Sequence, residues 1–242
     1  MTALVDLTGL RLLVMGGAAG IGQSCTDLAL AAGARVAVSH LPGETAATPL
    51  AFACDVTDAA QVGAAVDGAA QALGGLDAVI LTAGIFDHRG VEETSDADWA
   101  RIVGLNLTGP FHAARAVAPH FRRAGAGSLV LFSSQIGLVG HRRATGYAAT
   151  KGGVNGLTRT LAIEFAAFGA RCNAVAPGPV ETPMTAVARA DPERAAKLVE
   201  AVPLGRFGQP DEIARAALFL AAPASSFVTG HILVADGGVT AI

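Results

Sequence analysis

Residues 11–33 read RLLVMGGAAGIGQSCTDLALAAG, and this stretch decides the fold. Residues 10–15 are a strand candidate, continuously apolar from Leu12 to Met15. A glycine-rich turn follows at Gly16, Gly20 and Gly22, and residues 21–32 then carry a helical pattern that stops at Gly33. Glycines let the backbone reverse sharply and let a pyrophosphate approach without meeting a Cβ. The helix N-terminus then offers unpaired N–H groups and a positive dipole end to the anion. Gly16, Ala19, Gly20, Ile21 and Gly22 are therefore candidate dinucleotide contacts. The spacing is Gly-x3-Gly-x-Gly rather than the general Gly-x-Gly-x2-Gly, so a plain tight strand–helix turn is the other reading of this stretch alone.

The same rhythm continues outward. Further strands are expected at 34–39, 50–54, 76–81, 128–132, 170–176 and 232–235. Helices are expected at 58–73, opened by an Asp cap, at 96–123 with an irregularity at Gly104 and Pro110, at 147–168, and at 210–220. Strands that are apolar on both faces and alternate with helices imply a Rossmann-like, doubly wound parallel sheet with helices on each side. No linker interrupts the 242 residues, so 1–242 reads as one domain. One crossover is short. Ten residues, 40–49, with prolines at 42 and 49, leave room for little more than a turn, and the sheet edge there should be thinly covered.

Composition excludes several classes. Apolar residues make up 52% and charged residues 15%, which rules out disorder; the 30 glycines show no period of three, which rules out collagen. A net charge of −3 without a basic stripe argues against nucleic acid. No uninterrupted apolar stretch suits a membrane span, and residues 1–9 carry no secretory signal pattern. Cys25, Cys54 and Cys172 are scattered and read as reduced thiols of a cytoplasmic protein, and no metal-ligand spacing is present.

Tyr147 and Lys151 stand four residues apart and share one helix face. A phenol is a poor base at neutral pH, and a neighbouring cation favours its phenolate. Tyr147 is the one tyrosine of the chain, and Ser133-Ser134 ends the fifth strand, at the carboxyl edge where open α/β sheets bind ligands.

With these residues in family order, the sequence resembles the short-chain dehydrogenase/reductase family over essentially its whole length. The resemblance rests on the turn at 16–22, Thr82-Ala83-Gly84, Asn106 in Leu-Asn-Leu-Thr-Gly, Ser134 thirteen residues before Tyr147, Tyr147-x3-Lys151 and Pro177-Gly178. It implies an oxidoreductase moving a hydride between a nicotinamide coenzyme and a secondary alcohol or ketone. Tyr147 would be the general acid/base, Ser134 would hold the substrate oxygen, and Lys151 would acidify Tyr147 and bind the nicotinamide ribose. Asn106 would hold a water leading from Lys151 to solvent. Coenzyme contacts would come from Asp55 and Val56 at the adenine, Ala83 and Gly84, and Pro177, Gly178, Val180 and Thr182 at the carboxamide, with a substrate lid over about 179–202.

Two departures concern strand ties: Met15 and Thr82 stand where a small polar residue and Asn are usual, with a local cost of about 1 kcal/mol each if partners go unpaired. The coenzyme position is a third. His40 stands where an acid usually accepts the ribose hydroxyls of NAD, while Leu41 and Ala19 stand where a base usually meets the phosphate of NADP. A phosphate demands Arg or Lys more strictly than a hydroxyl demands a carboxylate, so NAD is favoured and NADP is the alternative. Gln135 and His141 are candidate substrate contacts, for a diol, polyol or hydroxyketone; solvent-facing side chains are the other reading of both. Rival functions are a 3-oxoacyl-thioester (acyl carrier protein) reductase and, more distantly, a non-catalytic coenzyme-binding regulator. The resemblance further implies a homotetramer, or a dimer, built on the long helices and on the C-terminal segment 236–242.

Overall fold

The computed structural model describes residues 6–46, 48 and 50–241. Parts of the readings for the N-terminus, the short crossover and the C-terminal segment fall on residues 1–5, 47, 49 and 242, which lie outside the described residues. Along the chain run β1 (Arg11–Met15), α1 (Gly20–Ala31), β2 (Arg35–His40), β3 (Ala51–Ala53), α2 (Ala59–Leu73) and β4 (Ala78–Leu81). Then come α3 (Asp96–Val103), α4 (Gly109–Ala124), β5 (Gly127–Phe132), α5 (Thr145–Ala166) and β6 (Ala170–Pro177). The short α6 (Ala186–Arg189) and α7 (Pro192–Glu200), then α8 (Pro210–Ala221) and β7 (Ile232–Ala235), complete the fold.

The strands form one parallel sheet in the order β3-β2-β1-β4-β5-β6-β7. Their order reverses between β1 and β4, so the chain leaves the sheet in opposite directions there and opens a crevice at the strand carboxyl ends. Residues Leu12 to Met15 of β1 are fully buried, as a central strand covered on both faces requires. One face packs on α1 and α8 through Cys25, Ala29, Ala214 and Ala217. The other packs on α2, α4 and α5 through Val66, Val117, Phe121 and Phe165.

Local chemistry sets the boundaries. The Asp58 side chain accepts from the Ala60 and Gln61 amides and caps α2, and Gly74 at φ +75° ends it in the left-handed region. The described residues of the crossover after β2 form no helix, and β3 is exposed at Ala51 and Ala53. Its Phe52 ring fills a notch at Gly68 of α2, where a Cβ would stand 2.7 Å from the ring.

The helix expected over 96–123 is divided. Residues Gly104–Thr108 form a π-helical segment between α3 and α4. Pro110 lacks the N–H that an α-helical ladder would direct to the carbonyl of Asn106, so the ladder widens. Gly109 permits close packing on Val56, since a Cβ there would lie 2.9 Å from Val56 Cγ2. Thr82 makes the tie expected of Asn: its hydroxyl donates to the carbonyls of Met15 at 3.1 Å and Gly16 at 3.0 Å. The anticipated cost of an unpaired group is therefore not incurred at Thr82, and Met15 is fully buried in the apolar core.

Candidate active site

The glycine turn is built by close approach. Gly16 adopts φ +85°, and its amide and that of Gly17 both donate to the Ser39 carbonyl, tying the turn to β2. A Cβ on Gly22 would overlap the Gly16 carbonyl. Ala19 at the N-cap of α1 contributes no side-chain cap, and the first turn carries no acid, so the N-terminal amides of α1 face the crevice without a carboxylate competing for them. Gly20 faces Thr182 and Pro183 across the crevice; a Cβ there would lie 3.6 Å from Thr182 Cβ. Gly84 is a second cradle, where a Cβ would stand 3.2 Å from Asn106 Oδ1 and 3.7 Å from Lys151 Nζ. Ser39 Oγ is buried at the end of β2 without a hydrogen-bond partner. Cradles a Cβ would fill, free helix amides and an orphaned hydroxyl fit a dinucleotide laid along these strand ends.

At the adenosine end, the Nδ1–H of His40 donates to the Leu41 carbonyl at 2.9 Å, which leaves Nε2 as an acceptor in the neutral ring. Asp55 Oδ1 accepts from the Thr57 amide and hydroxyl, and the Val56 carbonyl meets His112 Nδ1 at 3.1 Å. Beyond β6, the Gly178 backbone lies against Asp236, where a Cβ would clash at 2.7 Å. Val180 bridges Gly208 through the Glu181 amide and the Pro179 carbonyl, which leaves its own N–H outside that ladder.

The structure brings Ser134, Tyr147 and Lys151 together. α5 carries Tyr147 and Lys151 on its inner face, and Lys151 Nζ lies 5.5 Å from the Tyr147 ring centroid. Lys151 Nζ donates to the Phe132 carbonyl at 2.8 Å, and Ser133 Oγ donates to the Lys151 carbonyl at 3.2 Å. Burial pushes the Tyr147 phenol up to about 12, opposed by a hydrogen bond with Ser134. Burial likewise pushes the Lys151 ammonium down to about 8. In the free protein a hydrogen bond with Ser134 eases ionisation of Tyr147. Asn106 is fully buried and its side chain is committed: Oδ1 accepts from the Ile85 amide at 2.9 Å, and Nδ2 donates to the Ile85 carbonyl at 2.8 Å.

Tyr147 opens into a cavity of about 370 Å³ that Ser134, Gln135 and His141 also line. Gln135 Oε1 is buried and unpartnered there. Sequence reasoning missed Phe86, His88 and Arg194 in the walls. The first two follow β4, and position just beyond a strand's carboxyl end is the signal that finds such residues. Among the described residues no cluster of three or more His, Cys, Asp or Glu side chains has a metal-holding arrangement, and no helix is long and apolar enough to cross a membrane.

A family model described as enoyl-(acyl carrier protein) reductase matches residues 16–240. The chain is 40% identical over 245 residues to galactitol 2-dehydrogenase (L-tagatose-forming) of Cereibacter sphaeroides, across 97% of this chain and 96% of that one. It is 36% identical over 245 residues to a 3-oxoacyl-[acyl-carrier-protein] reductase of Thermotoga maritima, across 96% and 98%. The solved structure of a short-chain type dehydrogenase/reductase from Mycobacterium marinum matches with TM-score 0.91 at 32% identity, covering 99% of this chain and 98% of that one. The chain belongs to the short-chain dehydrogenase/reductase family. It is an oxidoreductase of the class that acts on CH–OH groups with a nicotinamide coenzyme.

Proposed function

We propose that this enzyme interconverts a small secondary alcohol, of the diol, polyol or hydroxyketone kind, and its ketone, with NAD as coenzyme. The observation that carries the reading is the buried phenol of Tyr147, beside Ser134 and one helical turn from Lys151, opening into a cavity at the strand ends. A bound nicotinamide dinucleotide supplies the hydride acceptor or donor. Tyr147 moves the proton at the substrate oxygen, and Ser134 holds that oxygen in place. Lys151 meets the nicotinamide ribose and stabilises the phenolate during oxidation. Asn106 fixes the π-helical segment beside Lys151, from which protons are relayed to solvent. The amides of Gly20, Ile21 and Gly22 hold the diphosphate, and Gly16, Ala19, Ala83 and Gly84 line its path. Asp55 and Val56 meet the adenine. Pro177, Gly178, Val180 and Thr182 clasp the carboxamide, and residues 179–202 close over the substrate.

NAD is supported by His40, whose fixed Nδ1–H leaves an acceptor for a ribose hydroxyl. No Lys or Arg occurs between residues 36 and 88 to meet a phosphate. Gln135, which lines the cavity beside Ser134, supports a second hydroxyl on the substrate. Exposed Phe111 and Ile163 on α4 and α5 support self-association into a homotetramer, or a dimer. The buried, unpaired thiols of Cys25, Cys54 and Cys172 support a cytoplasmic setting. The 3-oxoacyl-thioester reductase reading is favoured by the Thermotoga maritima relative.

The test pairs Tyr147→Phe with fluorescence titration by NADH and NADPH, followed by a panel of diols, sugar alcohols and 3-oxoacyl thioesters. The expected result is undiminished NADH binding, weaker NADPH binding and at least a thousandfold loss of turnover in Tyr147→Phe. Turnover surviving in the variant overturns the role of Tyr147. Preferential use of thioesters moves the assignment to the rival reading.

A further inference from the structure

The cavity has two chemically distinct ends. Ser134 and Tyr147 stand at one. The other presents His88, His141, Arg194 and Lys197, and among the described residues no Asp or Glu lines the cavity. Between the ends lies Phe86, its ring edge-on to Tyr147 at 4.9 Å between centroids and 6.1 Å from the His88 ring.

The four basic groups are not equally free. Lys197 is paired with Glu193 at 2.6 Å, so its charge is largely spent. Arg194 makes no ion pair among the described residues. The carboxylates nearest this wall are engaged elsewhere: Glu93 with Arg143 at 2.6 Å and the Gly90 amide at 3.2 Å, and Asp87 with Arg89 and Arg101 at 3.4 and 3.5 Å. Among the described residues of the cavity wall, Arg194 is thus the cation that no ion pair answers. Burial, then the charges of Arg143, Arg194 and His141, hold the His88 imidazole below the usual histidine range, against the opposing charge of Glu93.

The wall is also built with some strain. Arg143 is the one non-glycine residue with positive φ among the described residues, at 56°. It is held there by its ion pair to Glu93, and it donates to the His88 carbonyl at 3.5 Å. This clamp presses the loop before α5 against the segment after β4. The His88 and His141 rings stand 6.4 Å apart between centroids.

We propose that the alcohol or ketone taken by this site carries a compact anionic group, a carboxylate or its sulfonate or phosphate equivalent, which Arg194 and His88 receive, His141 standing beside them in the cavity wall. The proposal rests on the hydride-transfer reading above and narrows its substrate class. The reacting carbon lies at the Tyr147 end, the carbon skeleton crosses the face of Phe86, and the anion meets the basic wall. The Phe86 ring stands 4.9 Å from the Tyr147 ring and 6.1 Å from the His88 ring, so the anion is several carbons from the carbinol centre rather than on the adjacent carbon.

The test uses the wild-type enzyme with NADH or NADPH and the ketoacids from 4-oxopentanoate to 7-oxooctanoate, each beside its N-methylamide. The expected result is a kcat/KM at least tenfold higher for the acid than for its amide at the best chain length, carried mainly by KM. In Arg194→Gln that acid-to-amide ratio falls close to one. In Arg35→Gln, at the opposite end of β2, it keeps its wild-type value. Equal use of acid and amide at every length, or a ratio unchanged in Arg194→Gln, overturns the proposal and leaves the hydride-transfer reading standing. Turnover of neither member at any length with either coenzyme overturns the proposal, and the hydride-transfer reading falls with it only where the diols, sugar alcohols and thioesters above are not turned over either.

Discussion

Lys151 is buried, and its ammonium has one protein acceptor, the Phe132 carbonyl at 2.8 Å. A single neutral acceptor does not replace the hydration of a cation. Its position in the fold should therefore reduce stability, and Lys151→Met removes that load. Burial pushes the group from the ordinary lysine value of 10.5 down to about 8. At 1.36 kcal/mol per pKa unit, this amounts to about 3 kcal/mol at pH 7. Methionine keeps most of the side-chain volume but leaves the Phe132 carbonyl without its donor, which costs about 1 kcal/mol. The variant should thus be more stable than wild type by about 2 kcal/mol at pH 7, while turnover is lost.

The sign of the effect depends on pH. The native value lies below the unfolded one, so between about pH 8 and 10.5 the unfolded state binds more protons and wild-type stability rises with pH. The penalty is complete below about pH 8 and gone above 10.5. There the lost Phe132 bond remains, and wild type becomes the more stable by about 1 kcal/mol. The two stability curves must cross inside that window. Urea unfolding at fixed protomer concentration, without coenzyme, at steps from pH 7 to 11 measures this directly. A variant less stable than wild type at pH 7, or a difference independent of pH, would refute the reasoning.

Two further tests address the turn and the phenol. Gly22→Ala places a Cβ against the Gly16 carbonyl and 2.6 Å from Thr82 Oγ1, and both are held by the sheet. It should lower stability by about 2 kcal/mol and abolish NADH binding, as read by chemical denaturation and by fluorescence quenching. Because Tyr147 is the one tyrosine, ultraviolet titration of the free protein reports it alone. The phenolate band should rise near pH 12 rather than 10, with stability falling as pH climbs from 10 to 12, since the native state there holds the proton that the unfolded state has lost.

What the sequence made legible was local. The glycine turn, the Asp58 cap and the Tyr147–Lys151 spacing each involve a few neighbouring residues, and helix or strand geometry alone carries them into position. The break at Gly104–Thr108 was only half visible. Pro110 marks an irregularity, but apolar periodicity continues through it, and a π turn differs from an α turn by one residue. Thr82 was read as a departure, because reach across a sheet depends on a strand register that one chain position does not reveal. The basic wall of the cavity was hardest. His88, His141 and Arg194 belong to three segments far apart in the chain; the first two meet through the Arg143–Glu93 clamp, which no periodicity encodes, and Arg194 comes from α7.

The values of the buried pair also bear on the direction in which the site is set. In water a phenol near 10 and an ammonium near 10.5 are almost matched. Burial penalises charge on both, so it raises the first to about 12 and lowers the second to about 8. Moving the proton from Tyr147 to Lys151 is opposed at both ends, and at neutral pH the resting phenol is a proton donor. Reduction of a ketone finds its acid ready. Oxidation of an alcohol first requires the phenolate, and hence added positive charge or higher pH. The orientation of Ser134 toward the phenol, rather than Lys151 alone, keeps that second direction within reach, because a hydrogen bond to the phenolate oxygen favours the charged form that burial resists.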